Sequence, residues 1–213
     1  MSTIAHQEGC FTVSTRTMTL PSNLPADRNG KLYPHELVMV LFPAVGMLAL
    51  HRNAARAWNA MALMLWHELG RYHQITAVSA GDVYRPFEWQ ERLFFQRFWR
   101  LITSTITKVY LGIRYWLKPG MANAATPGTS NHGWGLAVDI GIWPGDAGPK
   151  TKVQGIGSYK GVVLAWLRAN AADFGFFENV KSEPWHWEFC LGDTIPQRVL
   201  DIEAFLGWPG EAA

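Results

Sequence analysis

The residues of this sequence best suited to chemistry lie in two short stretches. The first runs from Ser130 through Asn131, His132 and Gly133 to Asp139, and the second, far along the chain, is Glu183-Pro184-Trp185-His186. Two imidazoles and one carboxylate are a ligand set expected of catalytic zinc, which keeps three protein ligands and leaves its fourth position to water. His132, Asp139 and His186 are therefore candidate metal ligands. Glu183, an acid close to His186, is then free to act as a general base.

Positioning these groups calls for two strands. Gly133 and Gly135 let the backbone turn tightly before it enters an extended run. From Leu136 to Ile142 that run alternates, with Leu136, Val138, Ile140 and Ile142 on one face and Ala137, Asp139 and Gly141 on the other. Such a strand presses its aliphatic face into a core and presents Asp139 over a shallow surface. Trp185 to Phe189 alternates again, with three aromatics on one side and His186 and Glu188 on the other. Pro184 interrupts that ladder, and a bend there is needed to return Glu183 to the metal. Glu188 is expected to be structural. A lone strand histidine or carboxylate is ordinarily structural too; the ordered co-occurrence of all of them favours the metal site.

At these residues the chain resembles the zinc D-Ala-D-Ala metallopeptidases and related cell-wall endopeptidases, a group that includes lysostaphin-like enzymes and the hedgehog signalling domain. The pattern Ser-x-His-x-x-Gly-x-Ala-x-Asp is met at Ser130, His132, Gly135, Ala137 and Asp139, and Glu-x-Trp-His at Glu183, Trp185 and His186. A third element, an arginine followed by glutamine and then Leu-Phe, falls on Arg85, Gln90, Leu93 and Phe94. The resemblance implies Zn2+ on His132, Asp139 and His186, Glu183 as catalytic base, and Arg85, Ser130 and Gln90 on the substrate. A guanidinium at Arg85 can grip a carboxylate or carbonyl with paired hydrogen bonds, whereas Ser130 serves equally well as a turn residue. Pro86 stands where the family commonly has a small hydroxyl residue, which puts the local loop shape in question.

The wording from Pro127 to Asp139 looks like phage-borne peptidoglycan peptidases. The resemblance thus implies a zinc-dependent peptidase acting on peptidoglycan stem peptides or cross-links, with a phage-type lytic endopeptidase preferred and a D-alanyl-D-alanine carboxypeptidase as the alternative. A reading of another class is a non-catalytic zinc-bearing module that binds the wall. Glu183 separates the two classes, because a pure binder has no use for a base.

The 213 residues suffice for one domain, expected over 31–213 behind an irregular N-terminal lead, 1–30. Lys and Arg number 19 against 17 acids, a balance too even for nucleic acid as substrate. Eleven tryptophans make stacking on sugar rings available, although core packing is their ordinary use. Cys10 and Cys190 lack metal-ligand spacing. Met1 to Glu8 shows no charged stretch leading into an apolar one, so the expectation is synthesis in the cytoplasm and delivery to the wall by other means. The apolar stretch Leu37 to Leu50 is broken by Pro43 and Gly46 and is too short to span a membrane. A monomer is expected.

The remaining elements follow from periodicity. A helix capped by Asn53 runs to Leu69 and ends at Gly70, with Ala54, Ala57, Trp58, Met61 and Leu65 on its core face. His67 and His73 flank its end as structural residues. Ile75 to Ser79 reads as a strand, followed by a loop to Arg85 and a helix from Pro86. Residues 103 to 130 form an aromatic loop or hairpin that walls the cleft. A second loop spans Pro144 to Gly157, a helix capped by Ser158 runs to about Phe174, and a final helix covers Ile195 to Leu206. The mixture lacks regular βαβ alternation, so the fold is read as α+β, a small antiparallel sheet carrying the zinc site on one face and helices packed on the other.

Overall fold

The computed structural model describes residues 15–144, 151–152 and 159–208, so the loop expected from Pro144 to Gly157 and the Ser158 cap lie largely outside the described residues. The first elements are a hairpin of β1 (Leu37–Phe42) and β2 (Gly46–His51), paired antiparallel from Leu37↔His51 to Phe42↔Gly46. Helix α1 (Arg52–Leu69) follows without a break and buries Ala54, Ala57, Trp58, Met61 and Leu65, the stripe that its spacing predicts. Its cap is not Asn53: the His51 side chain accepts the Asn53 amide, while the Asn53 side chain donates to the Gly192 carbonyl. Gly70, at φ 81°, ends the helix where a side chain would be strained.

Strand β3 (His73–Ala77) leads into a loop and α2 (Phe87–Arg97), with Pro86 at the cap position. Strands β4 (Phe98–Trp99), β5 (Thr107–Tyr110) and β6 (Ile113–Leu117) then form a separate three-stranded sheet, so the aromatic segment is a hairpin. Strand β7 (Ala137–Pro144) and the short β8 (Thr151–Lys152) precede α3 (Tyr159–Asn170). Strands β9 (Phe176–Phe177) and β10 (His186–Phe189) and helix α4 (Gln197–Leu206) complete the chain.

The sheet that matters for function has the order β3-β7-β10-β9, with β8 also on β7, and every pair in it is antiparallel. On one face, Val138, Ile140, Ile142, Trp187 and Phe189 join the buried stripes of α1, α3 and α4 in the main core. Removing a buried side chain such as Met61 there should cost about 2–5 kcal/mol. On the other face stand Asp139, His186 and Glu188. The α+β architecture is as the sequence implies, but the expected single small sheet is joined by two more. The reason lies in packing: Phe94, Phe98, Tyr110, Tyr115 and Leu117 form a second, aromatic core between α2 and its own sheet. Phe94 stacks on Phe98 with ring centroids 4.9 Å apart and meets Tyr115 edge-on at 5.3 Å.

Residues from Thr15 onward in the N-terminal segment pack against this frame. The Thr19 amide donates to the Cys190 carbonyl, and Leu24 is buried. Among the described residues no helix is long and apolar enough to cross a membrane.

Candidate metal centre

The register of β7 and β10 sets Asp139 directly opposite His186. His132 reaches them from a 3-10 turn, Asn131–Trp134, that ends at Gly135 in the left-handed region, φ 63°. A Cβ on Gly135 would lie 2.7 Å from the His51 backbone nitrogen, which donates to the Gly135 carbonyl at 2.9 Å. Glycine is therefore required twice over at this position, for conformation and for closeness. The Gly133 backbone is pressed just as hard, because a Cβ there would overlap the side chains of Asn29 and Gln90.

One potential ligand atom from each of His132, Asp139 and His186 lies within 4.8 Å of the others, and all three residues are buried. Asp139 Oδ1 is 2.9 Å from His186 Nδ1 and 3.5 Å from His132 Nε2. The outward ring nitrogens are both engaged, His132 Nδ1 with the Val83 carbonyl at 3.2 Å and His186 Nε2 with Glu188 Oε1 at 2.9 Å. Acceptors behind both rings hold the inward nitrogens free of protons when a metal is bound, which is the support that metal-ligating histidines need. The donor set therefore fits a divalent metal such as zinc.

Electrostatics agree. Burial opposes charge on Asp139, yet its contacts with His132 and His186 hold its carboxyl far below the usual carboxylate range. Burial lowers His132, keeping it neutral. Burial would also lower His186, but its bonds to Asp139 and Glu188 outweigh that and push it up to about 9. An imidazole clamped between two carboxylates holds a proton that a metal ion displaces on binding.

A cavity of about 350 Å³ opens on the cluster, lined among others by Glu183, Arg85, Ser130 and Asp82. The chain turns at Pro184, where the His186 amide donates to the Glu183 carbonyl at 2.8 Å, and Glu183 lines the cavity. Arg85 is tied to the metal turn by its own amide, which donates to the His132 carbonyl at 2.9 Å. Its Nε donates to the Gly81 carbonyl at 2.7 Å, and its guanidinium lies 3.7 Å from Asp82. Ser130 is buried at the start of the turn, and among the described residues its side chain makes no hydrogen bond, so the hydroxyl is left to the cavity it lines.

Gln90 is placed differently from expectation. It is not on the cavity wall, and its amide is spent within the protein. Nε2 donates to Asn29 Oδ1 at 3.0 Å and to the Arg85 carbonyl at 3.1 Å, while Oε1 accepts the Gly128 amide. It braces the loops that carry Arg85 and Ser130, and no donor is left to meet a substrate. Three further residues enter the site, two of them, Asn29 and Asp82, without a sequence signal of their own. Asn29, from the expected irregular lead, donates to the Ser130 carbonyl at 2.8 Å. Asp82 sits beside Asp139 and Arg85, its pKa raised chiefly by burial. Glu188, expected to be merely structural, touches His186 and is itself held by Asn131 and Asn179.

The family model of D-alanyl-D-alanine carboxypeptidase, VanY, matches residues 48–193. A D-alanyl-D-alanine carboxypeptidase of Enterococcus faecalis is 33% identical over 95 residues, which are 38% of this chain and 31% of that protein, so the match spans about a third of the relative's length. Among solved structures, a variant of the vancomycin-resistance D,D-pentapeptidase VanY from a VanB-type cassette, in complex with Zn(II), aligns at 19% identity with a TM-score of 0.47. That alignment covers 73% of this chain and 79% of the other. VanYB in complex with D-alanine-D-alanine aligns at 19% identity and a TM-score of 0.47 over 85% of this chain and 92% of that one.

Proposed function

This chain belongs to the VanY family of D-alanyl-D-alanine carboxypeptidases, and from that premise we propose that it is a zinc metallopeptidase that removes the terminal D-alanine from peptidoglycan stem peptides. The observation that carries the reading is the convergence of His132, Asp139 and His186 at a cavity that also holds Glu183 and Arg85. A phage-type endopeptidase, the reading that the sequence prefers, finds no support in the family match, and the carboxypeptidase alternative takes its place.

His132, Asp139 and His186 would hold the zinc, which when bound would supply Lewis acidity toward a water and a carbonyl near neutral pH. Glu183 takes one proton from the attacking water and passes it to the leaving amine, so that the amide C–N bond breaks, a C–O bond forms, and no covalent enzyme intermediate is needed. Arg85 holds the terminal carboxylate of the peptide in its fork, and the Ser130 hydroxyl donates a further hydrogen bond to it. Gln90 and Asn29 keep those two groups in place from behind.

Incubating the zinc-loaded protein with a stem pentapeptide ending in D-Ala-D-Ala tests this directly. Release of a single D-alanine, abolished by chelation and restored by zinc, is the expected result. Internal fragments with the terminal D-Ala-D-Ala intact would return the endopeptidase reading. Zinc-dependent binding without any cleavage would return the non-catalytic module.

A further inference from the structure

The cavity at the metal cluster does not end there. A second cavity of about 330 Å³ shares Asp82, Arg85, Leu93 and Arg97 with it and continues along α2 past Arg92 and Gln96. Lys108, on β5, lines the first cavity as well. The acids of the first cavity are largely committed: Asp139 and Glu188 to His186, and Asp82 to Arg85 and Ser79. The cations on the α2 and β5 side are not. Arg97 donates to the Asn123 carbonyl at 2.7 Å and meets no carboxylate among the described residues. Lys108 and Arg92 have no hydrogen-bond or ion-pair partner among the described residues. Arg97 is also close enough to Arg85 for each to repel the other's charge.

Like charges gathered in a concave, partly dehydrated wall are at their lowest free energy when an anion joins them. The terminal carboxylate of the peptide is already provided for by Arg85. We propose that Arg97 and Lys108 form a second carboxylate site, so that the peptide this protein prefers carries an acidic residue within a few positions of the scissile amide. The proposal rests on the peptidase reading for the class of ligand, and its test reads binding rather than cleavage.

Two synthetic pentapeptides ending in D-Ala-D-Ala, identical except for a free carboxylate or a carboxamide on a central residue, are titrated calorimetrically into zinc-loaded Glu183→Gln protein. The acid form should bind about 10-fold to 100-fold more tightly, the range for a charge-assisted hydrogen bond. That preference should shrink to about twofold in Lys108→Gln and in Arg97→Gln. Arg97 also supports the Asn123 loop, so Lys108, which holds nothing in place, is the cleaner of the two variants. Equal binding of the two peptides, or a preference that persists in both variants, overturns the site. Cleavage by the unaltered protein is followed alongside. Absence of cleavage with the acid preference intact would remove the peptidase reading and leave the cation site standing; failure to bind either peptide would overturn both.

Discussion

His186 shows how little freedom the site leaves its ligands. Its Nδ1 faces Asp139 and its Nε2 faces Glu188, each at 2.9 Å, so the ring cannot turn without losing one carboxylate. Glu188→Ala should therefore fold but bind zinc about 10-fold to 100-fold more weakly, the usual effect of removing the group behind a ligating imidazole. Glu188→Gln, which still offers an oxygen to Nε2–H, should recover part of that affinity. Competition with a chromogenic chelator measures both, and affinity unchanged in the alanine variant would reduce Glu188 to packing. Glu183→Gln should behave in the opposite way, keeping its zinc while losing about 10²-fold to 10⁴-fold in hydrolysis, the range for loss of a general base. Near-normal turnover would place the base elsewhere. The candidate ligands are legible in the sequence because Asp139 and His186 sit in short alternating runs that fix their faces and His132 in a glycine-flanked turn. Asn29 and Asp82 are not, because their roles come from contacts across the fold: Asn29 meets Ser130 over a separation of 101 residues, a proximity no local pattern encodes.

At the scale of elements, the junction of β2 and α1 is where the frame meets the metal turn. His51 is buried, its Nδ1 accepts the Asn53 amide at 3.3 Å, and its backbone pins Gly135. Burial, with help from Arg52, lowers its pKa from 6.5 to about 4. The folded value thus lies below the unfolded one, so as pH falls the unfolded chain takes up a proton first. The stability from this residue is complete above about 6.5 and is lost progressively toward 4, by about 3 kcal/mol at most. His51→Gln should flatten that part of the stability-versus-pH curve measured by denaturant unfolding; an unchanged slope would assign the acid sensitivity to other groups. Helix α1 itself is legible because its apolar residues recur at helical spacing and Gly70 stops it. The hairpin before it is not: Leu37 to Phe42 is apolar throughout, so its alternation between buried Val40 and Phe42 and exposed Met39 and Leu41 is invisible until the strands pair. The cap at Asn53 misleads for a similar reason, since the distant Gly192 carbonyl claims its side chain.

For the whole molecule, the metal centre joins parts of the chain that are distant in sequence and that strand pairing and backbone hydrogen bonds have already brought together. Asp139 and His186 are separated by 47 residues, and His132 lies on a turn fastened to the β2–α1 junction through Gly135 and to Arg85 through its carbonyl. The unfolded chain has no such site, so zinc binds the native state almost alone, and its binding free energy adds to stability. With free zinc at about 1,000 times its dissociation constant, the gain is about 4 kcal/mol. For a chain of this size each kcal/mol raises the unfolding temperature by roughly 2–4 °C, so zinc should raise it by about 8–16 °C. Chelator should remove the whole increment. His132→Ala, Asp139→Ala and His186→Ala should each lose most of it, because two remaining ligands bind zinc poorly. Differential scanning calorimetry of the four proteins, with zinc and with chelator, reads this directly. If the three variants keep the full zinc-dependent shift, the stabilising ion sits elsewhere and the assignment of these ligands fails. If the unaltered protein shows no shift while still binding one zinc through them, zinc must bind the unfolded chain with comparable affinity.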